Sequence, residues 1–277
     1  MRIPSTDGVE LAVHDLGGDG PPVLLAHATG LHAMVWAPLA SYLTDRFRCW
    51  AVDFRAHGDS TAPAQRPLEW AGFADDVLTV VDALDLDRAF GVGHSKGGAA
   101  LVLAEQRRPG TLRAAYLFEP IVYPLPEDLP PGTSRRNELS EGARRRRAVF
   151  ESRDQAYGNY ASKPPLSAMH PDALRAYVDH GFADRPDGTV GLKCLPEHEA
   201  EVFEMSWQHG AFERLADVRC PVTVACGGEP GPSLVAPLVA DRLPAGRLEV
   251  YDDLGHFGPL QDPERIARAI VAAFAGE

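Results

Sequence analysis

The stretch Gly91-Val92-Gly93-His94-Ser95-Lys96-Gly97-Gly98 has a short apolar segment on either side. Ser95 therefore stands where a buried strand passes into a helix. In that context the pattern Gly-x-Ser-x-Gly predicts a sharp turn that exposes the serine hydroxyl. Glycine is needed on both sides because a Cβ at Gly93 or Gly97 would collide with neighbouring backbone or helix. We predict that Ser95 is a nucleophile; a glycine-rich loop with a capping serine is the alternative interpretation.

Composition limits the range of partners. The 277 residues carry a formal net charge of −12, which disfavours binding to nucleic acid and to acidic membrane surfaces, since both attract basic patches. One basic run, Arg144 to Arg147, is interpreted as the solvated face of a helix and not as a polyanion site. The partner that we expect is a small-molecule substrate.

Targeting segments and metal-binding patterns are not evident in the sequence. Residues 1–8 lack an apolar signal segment, and no stretch approaches the length of a membrane span, so we expect a cytoplasmic protein. The cysteines have no C-x-x-C spacing and no nearby histidine cluster, which predicts free buried thiols and no metal site. They are Cys49, Cys194, Cys220 and Cys226.

Apolar runs and helical periodicities alternate along most of the chain. Continuous apolar strands of this kind are buried on both faces of a parallel sheet. Their alternation with helices predicts an α/β fold with a doubly wound parallel sheet and helices on both faces. The predicted strands are 9–14, 23–26, 48–52, 89–92, 112–118, 221–226 and 247–251, and the helices between them include 35–44, 68–86 and 234–243.

This alternation stops in the middle of the chain. From Ile121 to about Asp217 several helical segments follow one another with no apolar strand run of comparable strength. Pro171 and Pro196 fit the first turn of such helices. The pattern predicts a helical cap, residues 121–217, inserted between two parts of the sheet core, residues 1–120 and 218–277.

Several motifs, taken in order, resemble those of the α/β-hydrolase fold superfamily, in its branch with a serine nucleophile and a helical cap. They are His27 at a strand end, Asp53-x-Arg55-x-His57-Gly58-x-Ser60, the Ser95 turn, and Gly255-His256 before the last helix. The resemblance covers nearly the whole chain. It implies a mostly parallel sheet of eight strands and chemistry without a cofactor.

The same resemblance assigns roles to single residues. Ser95 would be the nucleophile and His256 its general base. The backbone amides of Thr29 and Lys96 would form the oxyanion hole. We expect the Lys96 side chain to pair with a nearby carboxylate, and binding of an anionic substrate group is the alternative.

Other motif positions are expected to serve the scaffold. His27, Asp53, Arg55 and His57 usually connect loops in the resembling family and are interpreted as buried polar groups. The chain also departs from the family pattern at Ala28, where the family mostly has glycine. That methyl group is expected to narrow the approach to the oxyanion hole.

The acid of the catalytic triad is not obvious from sequence. Most of the superfamily has an aspartate after the seventh strand, but here residues 227–232 contain none. Glu119, at the end of the sixth strand, occupies a position where some relatives keep the acid, and Glu229 is the alternative. We favour Glu119 because it lies between apolar Phe118 and Pro120, where an unpaired carboxylate would be costly.

These assignments predict a cofactor-free serine hydrolase of the esterase or lactonase type. It would cleave a small, moderately apolar ester, thioester or lactone through an acyl-enzyme on Ser95. The predicted pocket walls are Trp36, His94 and Phe257. Two rival interpretations remain: a carbon–carbon bond hydrolase or lyase that uses the same Ser–His pair, and a non-catalytic binding module.

Overall fold

The computed structural model describes residues 1–64, 67–86, 88–125 and 135–277. Its strands are β1 (Arg2–Pro4), β2 (Glu10–Gly17), β3 (Pro22–Ala26), β4 (Arg48–Asp53), β5 (Ala89–His94), β6 (Leu112–Phe118), β7 (Val149–Phe150), β8 (Phe182–Asp184), β9 (Val190–Leu192), β10 (Val222–Gly227) and β11 (Gly246–Tyr251). Its α-helices are α1 (Ala37–Ala40), α2 (Trp70–Ala83), α3 (Lys96–Arg107), α4 (Glu138–Arg144), α5 (Arg153–Ala161), α6 (Pro171–Gly181), α7 (Pro196–Glu204), α8 (Ala236–Arg242), α9 (Gly258–Gln261) and α10 (Pro263–Phe274).

Eight strands form the main sheet in the order β1-β2-β4-β3-β5-β6-β10-β11. Strand β2 is antiparallel to both of its neighbours, and the other pairs are parallel. The predicted doubly wound, mostly parallel sheet is confirmed. The strand order reverses between β3 and β5, and a reversal of this kind leaves a crevice at the carboxyl ends of the strands, where ligands bind in open α/β sheets.

Helices cover both faces of this sheet. One buried cluster joins residues of α2, α3 and α8 to one face, and a second joins α1 and α10 to the other. Strands β5 and β10 are buried along their whole length, which explains why they read as continuous apolar runs in the sequence.

The segment 121–217 holds α4, α5, α6 and α7, and its residues 126–134 lie outside the described ranges. Pro171 and Pro196 begin α6 and α7, as predicted. The segment also contains a small antiparallel sheet in the order β7-β9-β8, which the sequence did not predict. Strands of two or three residues are too short to produce an apolar alternation. The role of the segment as a cap stays a prediction.

The four cysteines are free and buried, as expected. Within the described ranges, none of the helices combines the length and the apolar character that crossing a bilayer requires.

Candidate active site

Ser95 lies at the turn between β5 and α3 with φ 55° and ψ −117°. A side chain other than glycine rarely adopts such a backbone conformation, and strain of this type clusters at functional sites. Its amide donates a hydrogen bond to Phe118 O at 3.0 Å, and its carbonyl accepts from Ile121 N at 3.2 Å. The end of β6 therefore holds the strained turn in place.

The glycines beside Ser95 are required by close backbone contacts. A Cβ on Gly93 would lie 2.6 Å from Gly98 Cα, and a Cβ on Gly97 would lie 2.1 Å from the carbonyl oxygen of Ala26 in β3. Both distances are far shorter than a carbon contact allows. The predicted collision at these two positions is confirmed.

The carboxylate of Glu119, directly after β6, contacts the imidazole of His256, which lies between β11 and α9. Glu119 Oε2 is 2.6 Å from His256 Nδ1, and Glu119 Oε1 accepts a hydrogen bond from Gly227 N at 2.9 Å. The side chain is 1% exposed, and both of its oxygens have a partner, so its burial is compensated. With Nδ1 donating to the carboxylate, a neutral imidazole has its lone pair on Nε2 and is able to accept a proton there.

Glu229, the alternative acid, has a different position. It is exposed in the loop after β10, and its carboxylate lies against Gly255, where a Cβ would be 2.7 Å from Glu229 Oε2. The structure thus brings Glu119, and not Glu229, to the ring of His256.

His94, the residue before Ser95, contacts His256. The Nε2 of His94 donates to the carbonyl oxygen of His256 at 2.7 Å, and the two rings are 4.9 Å apart. Among the described residues, Ser95 Oγ makes no hydrogen bond to His256. In structures without substrate, catalytic hydrogen bonds are often long and tighten only in the complex.

The predicted wall residues occupy three different environments. His94 is fully buried beneath His256, and burial holds its pKa well below the usual range, so the ring is neutral. Phe257 is half-buried, with its ring 5.7 Å from that of His256. Trp36 is 1% exposed and belongs to the apolar cluster beneath the sheet. Their contact with a substrate stays a prediction.

The predicted oxyanion hole consists of two backbone amides. Lys96 is the first residue of α3, and the amides of a first helical turn have no acceptor within their own helix. Thr29 lies in the loop after β3, and its amide donates to no acceptor among the described residues. Both amides are therefore free to bind a developing oxyanion.

The side chain of Lys96 is not paired as the sequence suggested. It is 0% exposed, its Nζ lies 4.3 Å and 4.4 Å from the ring centroids of Phe54 and Phe73, and this Nζ has no hydrogen-bond partner within the described residues. The prediction that Lys96 pairs with a carboxylate is wrong. The nearby buried acids have other partners: Asp76 forms an ion pair with Arg55, and Asp53 accepts a hydrogen bond from Ala33 N. Burial lowers the pKa of Lys96 to about 7.

The scaffold interpretation of the remaining motif residues agrees with their contacts. His27 Nδ1 donates to Ala28 O at 2.7 Å, and its Nε2 accepts from Phe54 N at 3.1 Å. Arg55 forms a buried bidentate pair with Asp76, in which Nε donates to Oδ2 and Nη2 donates to Oδ1. These bonds connect the loops after β3 and β4 to each other and to α2.

One group of side chains in the described residues has the composition of a metal site: His14, Asp53 and Asp59. Its members are already partnered, since His14 Nε2 is 3.1 Å from Asp53 Oδ2 and the ammonium of Lys193 is 2.7 Å from Asp59 Oδ1. The His14–Asp53 contact and the Lys193–Asp59 ion pair therefore engage all three side chains within the protein.

The sequence model of the Alpha/beta hydrolase family matches residues 23–269. The chain belongs to this family.

Full-length similarity extends to individual members of the family. "Putative carbamate hydrolase RutD" of Caulobacter sp. (strain K31) is 26% identical over 100% of this chain and 99% of its own length. The 2-hydroxymuconate semialdehyde hydrolase of Pseudomonas sp. (strain CF600) is 25% identical over 98% of this chain and 92% of its own. The crystal structure of E-2-(acetamidomethylene)succinate hydrolase superposes with a TM-score of 0.80 at 23% identity, covering 100% and 98% of the two chains. These relatives are hydrolases.

In this α/β hydrolase a charged cluster that the sequence did not predict lies beside the loop after β3. Arg146, interpreted as part of a solvated helix face, follows the end of α4 and turns inward. Its Nη1 is 2.5 Å from Glu199 Oε2, and its Nη2 is 2.5 Å from the hydroxyl of Tyr177. The sequence carried no signal for this difference because four consecutive arginines look alike until the end of the helix is known.

Proposed function

We propose that the protein is a serine hydrolase that cleaves a small, moderately apolar ester, thioester or lactone through an acyl-enzyme on Ser95. The observation that carries the proposal is the 2.6 Å contact between Glu119 Oε2 and His256 Nδ1, beside a serine at a strained strand-to-helix turn. A carboxylate, an imidazole and a serine hydroxyl in this arrangement form the nucleophile, base and orienting acid of acyl transfer.

In the acylation half, His256 Nε2 accepts the proton of Ser95 Oγ as the oxygen attacks the substrate carbonyl. Glu119 stabilises the imidazolium that forms, without taking its proton. Negative charge on the carbonyl oxygen is stabilised by the amides of Thr29 and Lys96. His256 then gives its proton to the departing alcohol or thiol, and the acyl group stays on Ser95.

In the deacylation half, water takes the place of the leaving group. His256 Nε2 accepts a proton from this water as its oxygen attacks the acyl carbonyl, and the same two amides bind the second oxyanion. Collapse of the intermediate returns the proton to Ser95 Oγ and releases the acid. No step requires a cofactor.

The Ser95→Ala variant tests the nucleophile. We expect loss of turnover of short-chain nitrophenyl esters with the fold intact, because only one small polar atom is removed. Stoichiometric labelling of wild-type Ser95 by a fluorophosphonate is the second expected result. Unchanged turnover in the variant would contradict the serine mechanism, and a wild-type protein that neither turns over esters nor accepts the label would be a binding module.

Carbon–carbon bond hydrolysis is the second candidate, and the similarity to 2-hydroxymuconate semialdehyde hydrolase favours it. It would use the same Ser95 and His256. Incubation with a vinylogous 1,5-diketone acid and with a matched ester separates the two, since only a carbon–carbon hydrolase releases two products from the diketone.

A further inference from the structure

The ion pair between Arg146 and Glu199 lies against the loop after β3 that contains Thr29 and Gly30, which is called the oxyanion loop below. A Cβ on Gly30 would be 2.5 Å from Glu199 Oε1 and 3.3 Å from Arg146 Nη1. Gly30 follows Thr29, whose amide we assign to the oxyanion hole. The pair therefore contacts the residue that follows Thr29 in the chain.

Cys194 provides a second indication of this proximity. Its buried thiol has a pKa of about 12, raised first by burial and then by the charge of Glu199, while Arg146 and Lys96 act in the opposite direction. The Cys194 thiol is therefore close enough to interact electrostatically both with the Arg146–Glu199 pair and with Lys96, the residue that follows Ser95.

The guanidinium is held in a fixed orientation. Besides Glu199, it donates to the hydroxyl of Tyr177 at 2.5 Å and to that of Tyr160 at 3.4 Å. Tyr177 is 1% exposed, and its ring stacks on His32 of the core with centroids 5.8 Å apart. Side chains held in this way lose little entropy when they bind a ligand.

The pair has unused hydrogen-bonding capacity. A guanidinium has five N–H groups, and the contacts of Arg146 within the described residues involve Nη1 and Nη2 but not Nε. Glu199 binds Arg146 through Oε2, and its Oε1 faces Gly30. Donors and an acceptor therefore lie side by side next to the oxyanion loop.

The charge balance of the pair selects the kind of ligand. A substrate carboxylate at Arg146 would also approach the charge of Glu199, and an ammonium at Glu199 would approach Arg146; either approach is repulsive. A neutral group with a C=O acceptor and an N–H donor matches both partners. We propose that Arg146 and Glu199 form a substrate-binding subsite for a neutral amide or carbamate group of the substrate, which rests on the proposed hydrolase function.

Matched nitrophenyl esters test this subsite. The acyl groups N-acetylglycyl, pentanoyl and glutaryl have the same chain length and are neutral polar, apolar and anionic. A second set of esters carries the same three end groups on the alcohol side of the ester bond instead of the acyl side. After correction for hydroxide reactivity, we expect the amide-bearing ester of one set to exceed both others in kcat/KM by about 10- to 100-fold, the range for hydrogen bonds to charged groups.

Three variants separate specificity from folding. Arg146→Gln and Glu199→Gln are expected to lose the amide preference. Arg144→Gln is the matched control, because Arg144 also pairs with glutamates of α7 and is 22% exposed against 20% for Arg146; this variant should keep the preference. The subsite is wrong if wild type shows no amide preference in either set, if it prefers the glutaryl ester, or if both subsite variants retain the preference.

Binding without turnover distinguishes failure of the subsite from failure of the hydrolase proposal. Calorimetry with N-acetylglycinamide and pentanamide measures the subsite even if no ester is cleaved. Tighter binding of N-acetylglycinamide to wild type than to Glu199→Gln supports the subsite, whereas equal affinities overturn it. Absent ester turnover together with unlabelled Ser95 overturns the hydrolase function instead.

Discussion

Glu119 is the residue on which the orientation of His256 depends. Its Oε2 contacts Nδ1 of the imidazole, and its Oε1 accepts from the amide of Gly227. Glu119→Gln keeps the size of the side chain but removes the charge that stabilises the imidazolium. We expect kcat for a nitrophenyl ester to fall by roughly two to four orders of magnitude.

Glu229→Gln is the control for this prediction. Its carboxylate lies against Gly255 and not at the imidazole, so we expect kcat within about twofold of wild type. The reverse order of the two variants, measured under the same conditions, would transfer the role of the acid to Glu229.

Lys96 makes the stability of the protein depend on pH. Burial lowers its pKa from 10.5 to about 7, so between pH 7 and 10.5 the unfolded chain binds a proton that the folded chain lacks, and stability rises with pH. Below pH 7 the folded protein bears the full cost of a buried ammonium, on the order of 5 kcal/mol. Contacts with Phe54 and Phe73 recover a part of this cost.

Lys96→Met is expected to raise the free energy of unfolding at pH 6 by about 2–4 kcal/mol. The stability advantage of the variant over wild type should shrink by about 3 kcal/mol between pH 6 and pH 9, where folded wild-type Lys96 is neutral. His27 and His57 do not disturb the comparison, because burial, the largest cause of their lowered pKa values, is the same in both proteins. Urea unfolding at the two pH values measures the difference; a pH-independent difference would contradict the lowered pKa.

The sequence predicts the interaction partners of some residues and not of others. Glu119 was favoured as the triad acid because apolar neighbours imply burial, and a buried carboxylate needs a partner. The same reasoning failed for Lys96, since the acids that would pair with it are occupied by Arg55 and Ala33 N. Competition for a partner depends on distances between loops, which no local pattern encodes.

At the scale of elements, the packing of α3 against β3 depends on one missing methyl group. A Cβ on Gly97 would lie 2.1 Å from Ala26 O, a backbone atom that is unable to rotate away. We expect Gly97→Ala to lower the free energy of unfolding by about 3 kcal/mol and to reduce fluorophosphonate labelling of Ser95. Chemical denaturation measures the first effect.

Gly142→Ala is the matched control, because no heavy atom lies within 4 Å of the position of its Cβ in α4. Alanine is the better helix former, so this variant should be more stable by about 0.5–1 kcal/mol. Equal stability of Gly97→Ala and wild type would contradict the close packing of α3 on β3.

Helices and strands were predicted correctly where the hydrophobic pattern continued without interruption along the element. Strand β5 and helix α2 have continuous patterns and are found close to their predicted ranges. The helix expected over 35–44 is instead a 3₁₀ turn, Ala33–Trp36, followed by the short α1. Strands β7, β8 and β9 were missed, since pairing between neighbours and not local composition stabilises strands of this length.

At the scale of the whole molecule, one hydrophobic core contains residues of both the sheet and the segment 121–217. Val202, Met205 and Phe212 of that segment belong to the same buried cluster as residues of α2 and α3. The indole N–H of Trp70 in α2 donates to Val202 O at 3.0 Å. The segment therefore contributes to the stability of the core as well as lying beside the loop that precedes α1.

Removal of residues 125–215, with a short glycine–serine linker in their place, is expected to expose this apolar surface. Exposed patches of this kind cause association, so we predict aggregation, or binding of a hydrophobic dye with lost discrimination between the matched esters. Size-exclusion chromatography and dye fluorescence provide the measurement. A monomeric truncated protein with unchanged ester selectivity would show that the segment is not a cap.

The position of the acid at the end of β6 has a consequence for protein engineering. Glu119 accepts a hydrogen bond from the amide of Gly227, the last residue of β10, and among the described residues no side chain of the loop after β10 binds its carboxylate. Pro230 and Gly231 are exposed in this loop. A peptide tag or a randomised segment inserted between them would be displayed close to the reaction centre, which makes this loop a permissive insertion point for libraries that alter substrate access.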